Sequence, residues 1–218
     1  VSGLTFLERP AAGEPDGLLV LHHGRGTDER DLIGLGDVLD PQRRLHVIAP
    51  RAPLSIPGSP GYHWYLVPRV GHPDPATFAA ARAALEAFHD ELWQRTGVPA
   101  SRTVLAGFSM GCVMSYATGL DRARPSPAGI LGFSGFIPTV EGWEPDLESR
   151  RGLPVFVAHG SRDPVISVEF ARAAVERMQA AGLAVSYHES DGGHQIDPAH
   201  LSAAVSWLES TLSGAASH

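Results

Sequence analysis

The chain of 218 residues contains no lysine and no asparagine, and Cys112 is its only cysteine. One thiol cannot form an internal disulfide, which points to a reducing, cytoplasmic setting. Without Asn there is no N-glycosylation acceptor. All 17 basic residues are Arg, a bias we read as codon usage rather than function. They face 24 acidic residues, for a net charge of −7, and no basic run stands out. That argues against nucleic acid or an anionic membrane surface as partner. No apolar run reaches the roughly 18 residues of a transmembrane helix. No signal peptide is visible, although a chain that opens on Val1 is compatible with an upstream segment having been removed.

What is present is a chain that is 43% hydrophobic, enough for one substantial core, so residues 1–218 are expected to form a single domain. Short apolar runs recur at Leu18–Leu21, Leu45–Ala49, Val104–Ala106, Ile130–Phe133 and Val155–Ala158. Such runs suit strands buried on both faces of a parallel sheet. Between them lie residues at helical spacing: Phe78, Ala81, Leu85, Phe88 and Leu92; Val168, Ala171, Val175 and Met178; Leu201, Val205, Leu208 and Leu212. The alternation predicts an α/β sandwich. Residues 213–218 are expected to fray. Two stretches, 51–75 and 134–152, lack periodicity. The first is rich in Pro and Gly and carries Trp64 and Tyr65; the second carries Phe136.

The stretch AGFSMGC (106–112) places Ser109 between Gly107 and Gly111, just after an apolar run and just before a helical one. A strand-to-helix junction of this kind exposes a serine hydroxyl at a tight turn, where side chains at 107 and 111 would strike neighbouring backbone. Serine needs a base. Of 11 histidines, His194 follows Gly192-Gly193 in a loop after an expected strand, whereas His188 sits within that strand and His200 in the last helix. His194 is therefore the favoured base. Asp163 follows the run 155–158 in a turn set by Pro164, and it is preferred over Asp191, which lies too close to His194 in one loop. Nucleophile, acid and base then fall in the chain order that this serine motif carries. Oxyanion donors would be the backbone N–H groups of Met110 and of Arg25, the latter in the glycine-rich turn after Leu18–Leu21.

The segments LHHGRG (21–26), GFSMG (107–111), HGSRDPVI (159–166) and GGH (192–194) together resemble the α/β-hydrolase superfamily. More closely, they are similar to the phospholipase/carboxylesterase family, which includes acyl-protein thioesterases and small bacterial esterases. The resemblance implies an α/β-hydrolase sandwich with a mostly parallel central sheet, helices on both faces and little or no cap. It implies a serine hydrolase acting on a small-molecule acyl ester or thioester without a cofactor, and it leaves a homodimer open as the assembly. Many acyl-protein thioesterases have Gln where Met110 stands, so the resemblance does not decide ester against thioester.

Other classes fit the sequence less well. HExxH is missing and the histidines are scattered, so no metal-ligand set is expected. Dienelactone-type hydrolases usually place Cys where Ser109 stands. A noncatalytic ligand-binding protein of the same fold would usually have lost one of Ser109, Asp163 and His194. The loop 51–75 is expected to wall the acyl pocket with Trp64 and Tyr65, joined by Phe136, and to favour short or medium acyl chains.

Overall fold

The computed structural model describes residues 3–215. Seven strands form the central sheet: β1 (Phe6–Arg9), β2 (Gly17–His22), β3 (Leu45–Pro50), β6 (Thr103–Phe108), β7 (Gly129–Phe133), β8 (Pro154–Gly160) and β9 (Ala184–Ser190). Two short strands, β4 (Leu54–Ser55) and β5 (Tyr62–His63), make a separate hairpin. The order across the sheet is β1-β3-β2-β6-β7-β8-β9. Only β1 runs antiparallel, pairing with β3; the remaining pairs are parallel.

The apolar runs are continuous because both sheet faces are covered. Along β2, Leu19 and Leu21 point into a core shared with Leu39, Ala204 and Leu208, while Leu18 and Val20 pack with Phe88 and Leu92. The first face is closed by α1 (Arg30–Ile33), α2 (Leu35–Leu39) and α6 (Leu201–Ala215). The second is closed by α3 (Pro75–Thr96), α4 (Met110–Gly119) and α5 (Val168–Ala180). α3 starts where Asp74 caps the Thr77 N–H at 2.9 Å with Pro75 in the first turn, and ends at Gly97 in a left-handed conformation.

Four details differ from the sequence reading. β1 escaped it because the edge strand Phe-Leu-Glu-Arg gives neither a continuous apolar run nor an alternating one: Leu7 and Glu8 are exposed and the buried residue is Arg9. The β4–β5 hairpin lies inside the stretch read as having no periodicity; two-residue strands are too short to show any. His200 lies in a short turn at Pro198–His200 just ahead of α6, not within it. Helix α6 continues through residues expected to fray, to Ala215; residues 216–218 lie outside the described range.

Because the parallel strands share one direction, their C-terminal ends line one edge of the sheet. The segments after β2, β6, β8 and β9 all emerge there. They carry Arg25, Ser109, Asp163 and His194 respectively.

Candidate active site

Ser109 sits between β6 and α4 with φ 55° and ψ −119°, a conformation that L-residues avoid and that neighbouring structure must enforce. The two flanking glycines make it feasible. A Cβ on Gly107 would collide with the Gly111 carbonyl, and one on Gly111 with the His22 carbonyl of β2. The turn is thus pressed against the adjacent strand, and the hydroxyl stands at the start of α4, where helix N–H groups are unpaired.

Three side chains from three loops meet there. His194 Nε2 lies 2.9 Å from Ser109 Oγ. His194 Nδ1 lies 2.7 Å from Asp163 Oδ2. The other oxygen, Asp163 Oδ1, accepts the N–H groups of Val165 and Ile166, each at 2.8 Å. Burial acts to raise the Asp163 carboxyl, but the Ile166 N–H, the His194 ring and the Val165 N–H outweigh it, and the pKa is held below its ordinary value. Asp163 is therefore an anion whose acceptor sites are already directed. Asp191 is almost fully exposed, and among the described residues its carboxylate pairs only with Arg162, at 3.9 Å.

Sequence reasoning missed the supports of this arrangement. His159, at the end of β8, donates from Nε2 to the Ile166 carbonyl at 2.9 Å and sits 3.3 Å from Asp163 Oδ2, bracing the turn that presents the carboxylate. Phe108 stacks obliquely on His194, with ring centroids 4.9 Å apart. The HG dipeptide before each turn (His23-Gly24 and His159-Gly160) was the available signal for the first kind of support.

The loop after β2 lies beside Ser109: a Cβ on Gly24 would come within 3.5 Å of the Ser109 Cβ. Its conformation is set by His23, whose Nδ1 donates to the Gly24 carbonyl at 2.7 Å and whose Nε2 accepts the Ala52 N–H at 3.0 Å. The Gly26 N–H donates to the Tyr62 carbonyl at 2.8 Å, and the Tyr62 N–H to the Thr27 carbonyl at 2.8 Å. The N–H of Arg25 takes part in no backbone hydrogen bond among the described residues. That of Met110 opens α4 and has no intrahelical acceptor.

A cleft of about 740 Å³ opens over Ser109 and His194. Arg25, His63, Tyr65, Leu66, Val70, Met110, Phe136, Val165 and Ile166 are among its lining residues. Tyr65 and Phe136 thus lie at the cavity wall. Trp64 does not. It is 0% exposed, donates its indole N–H to the His23 carbonyl at 2.9 Å, and packs behind the loop that carries Arg25. The chain bends at these two residues after β5, and the His23 carbonyl holds the Trp64 indole on the inner side. Cys112 is fully buried in α4, where burial pushes its thiol up to about 12, as suits a packing residue.

A family model described as phospholipase/carboxylesterase matches residues 9–212. Acyl-protein thioesterase 1 of Yarrowia lipolytica is 26% identical over 218 residues, covering 93% of this chain and 95% of that protein. The crystal structure of esterase PE8 superposes with a TM-score of 0.82 at 32% identity, covering 95% of this chain and 99% of that one. The carboxylesterase of Bacillus cereus shares the fold, with a TM-score of 0.83 at 21% identity over 96% of this chain and 95% of its own.

Proposed function

The chain belongs to the phospholipase/carboxylesterase family of hydrolases, and on that premise we propose that it is a one-domain serine carboxylesterase, hydrolysing short- to medium-chain acyl esters through an acyl-enzyme on Ser109. The observation that carries this reading is the relay of two hydrogen bonds, Ser109 Oγ to His194 Nε2 at 2.9 Å and His194 Nδ1 to Asp163 Oδ2 at 2.7 Å, built on a strained turn.

In this mechanism Asp163, anionic, holds the Nδ1–H tautomer of His194, which leaves Nε2 free to take the Ser109 proton. The Ser109 oxygen attacks the ester carbonyl. Negative charge develops on the carbonyl oxygen, which the N–H groups of Arg25 and Met110 stabilise, the latter aided by the α4 N-terminus. His194 then protonates the leaving alcohol. Water, deprotonated by His194, attacks the acyl-enzyme, and the proton returns to Ser109 as the acid leaves. Every group in the cycle comes from this chain, so the proposed chemistry calls on no cofactor.

A thioesterase or lysophospholipase reading uses the same steps with a different leaving group. The cleft favours it to one extent: Leu66, Val67, Val70 and Val165 are exposed at its edge, an apolar surface fit for an acyl chain. Paired esters and thioesters of the same acyl group distinguish the two. The central test is covalent. A fluorophosphonate should label the peptide containing Ser109, and Ser109→Ala should lose about 10³-fold or more in kcat. A fully active Ser109→Ala protein would end the proposal.

A further inference from the structure

The polar groups of the cleft exceed what hydrolysis of a neutral ester requires. Arg25 is exposed and lines the cavity beside Ser109. Carboxylates follow it in sequence, but they are engaged elsewhere: Asp28 pairs with Arg30 at 2.9 Å, and Glu29 with Arg51 at 2.6 Å. No ion pair or side-chain hydrogen bond engages the Arg25 guanidinium among the described residues. His63 lines the same cleft and is nearly buried, yet its Nδ1 has no hydrogen-bond partner among them. Nδ1 has no surface open to the cleft, so Nε2, which no residue bonds among the described residues, is the ring nitrogen left to meet a ligand oxygen.

The segments that carry the two side chains are bonded to each other through their backbones. His63 follows Tyr62 in β5, and Tyr62 is bonded through its backbone to Gly26 and Thr27, the two residues that follow Arg25. No carboxylate lines the cleft among the described residues, and most of the remaining wall is apolar. Arg25 therefore meets no competing protein anion within the cleft.

We propose that Arg25 and His63 form an anion subsite beside Ser109, and that the preferred substrate carries a carboxylate a few bonds from its scissile ester. The inference rests on the esterase reading for the word substrate, but the binding of the anion stands apart from turnover. Arg25 supplies the charge. His63, held neutral by burial and by the adjacent guanidinium, supplies a hydrogen-bond donor. The backbone N–H of Arg25 faces the carbonyl oxygen in the proposed mechanism, so its side chain is positioned to reach a second polar group on the same molecule. That group lies on the acyl side or on the alcohol side of the ester.

The experiment uses two pairs of intact esters with Ser109→Ala protein, followed by NMR titration. Monomethyl adipate against methyl hexanoate places the carboxylate on the acyl side. The acetate ester of 4-hydroxybutanoate against butyl acetate places it on the alcohol side. We expect the charged member of one pair to bind about tenfold more tightly, and that preference to vanish when Arg25→Gln is added. Arg25→Lys should restore part of it, and His63→Phe should reduce it. Each preference is a ratio within one protein, so a general disturbance of the Arg25 loop cancels. Equal binding of charged and neutral members in both pairs, or a preference that survives Arg25→Gln, overturns the subsite. Turnover of the same esters by the unmutated enzyme is measured separately. Preferential binding without turnover sinks the esterase reading and keeps the subsite; turnover without preference does the reverse.

Discussion

Trp64 donates its indole N–H to the carbonyl of His23 at 2.9 Å, while His23 itself clamps Gly24 and Ala52. The largest side chain of the loop 51–75 is thereby a rear support for the loop that carries Arg25. Trp64→Ala should cost about 3–5 kcal/mol of stability, the usual range for emptying a buried aromatic site. Trp64→Phe keeps most of the volume and should cost less in stability, while the unpaired His23 carbonyl loosens the Arg25 loop and lowers kcat. Thermal unfolding and kinetics on the two variants check this. A Trp64→Ala protein as stable as its parent would contradict the packing.

Chain-length preference should instead follow the residues at the cleft edge. Leu66→Ala and Val70→Ala each remove apolar surface where an acyl chain would lie. Each methylene buried is worth about 0.8 kcal/mol, so kcat/KM should change gradually along a series of esters and the slope should flatten in both variants. An unaltered profile in both would place the acyl chain elsewhere.

Asp163 and Asp191 make opposite predictions. In Asp163→Asn the amide oxygen can keep the N–H groups of Val165 and Ile166, which turns the NH₂ toward His194 Nδ1. That selects the tautomer with the proton on Nε2, which cannot accept one from Ser109. We expect kcat to fall by about 10³-fold or more. Asp191→Asn should change it little, since that side chain is exposed and only distantly paired. The reverse ranking would reassign the acid.

The same carboxylate should register in acid stability. Its folded pKa is lowered, so its contribution is full above the unfolded value near 4 and is lost as pH falls through the folded value. Asp163→Asn should therefore weaken the dependence of stability on pH below about 4. Denaturant midpoints measured across pH 2–6 test this; identical slopes in the two proteins would show that Asp163 is not perturbed.

Gly111→Ala should prevent the turn from closing, because the added methyl would overlap the His22 carbonyl on β2. The backbone of a central strand cannot yield as a side-chain tip can. We expect loss of soluble, cooperatively folding protein rather than a mild kinetic defect, judged by expression yield and the unfolding transition.

Chelation should leave activity intact, since every proposed catalytic group is a side chain or backbone N–H of this chain. Activity lost with EDTA and restored by a divalent ion would overturn that scheme.

Much of the architecture was legible because burial on both sheet faces writes itself as continuous apolar runs. Leu18–Leu21 and Val155–Ala158 are strands for that reason, and the spacing from Phe78 to Leu92 marks the buried side of α3. The turn at Ser109 was legible as well, because only glycine permits the approach at positions 107 and 111, and a residue type is visible without coordinates. Ser109, Asp163 and His194 could be nominated from their places after strands, since parallel strands deliver their C-terminal ends to a common edge.

What the tertiary structure decided were matters of direction and of partner. Trp64 and Tyr65 are adjacent and both aromatic, yet one packs behind the wall and the other lines it; nothing local distinguishes them, because the choice depends on where the His23 carbonyl lies. Asp163 rather than Asp191 meets His194 because the turns after β8 and β9 converge, and because the Val165 and Ile166 N–H groups hold the carboxylate in place. Likewise, an arginine in a glycine-rich turn becomes a cleft residue only when the hairpin bearing His63 is bonded across to it. Residue types and periodicity follow from short-range sterics and burial, so the chain states them by itself. Contacts between distant segments arise only when the sheet assembles them.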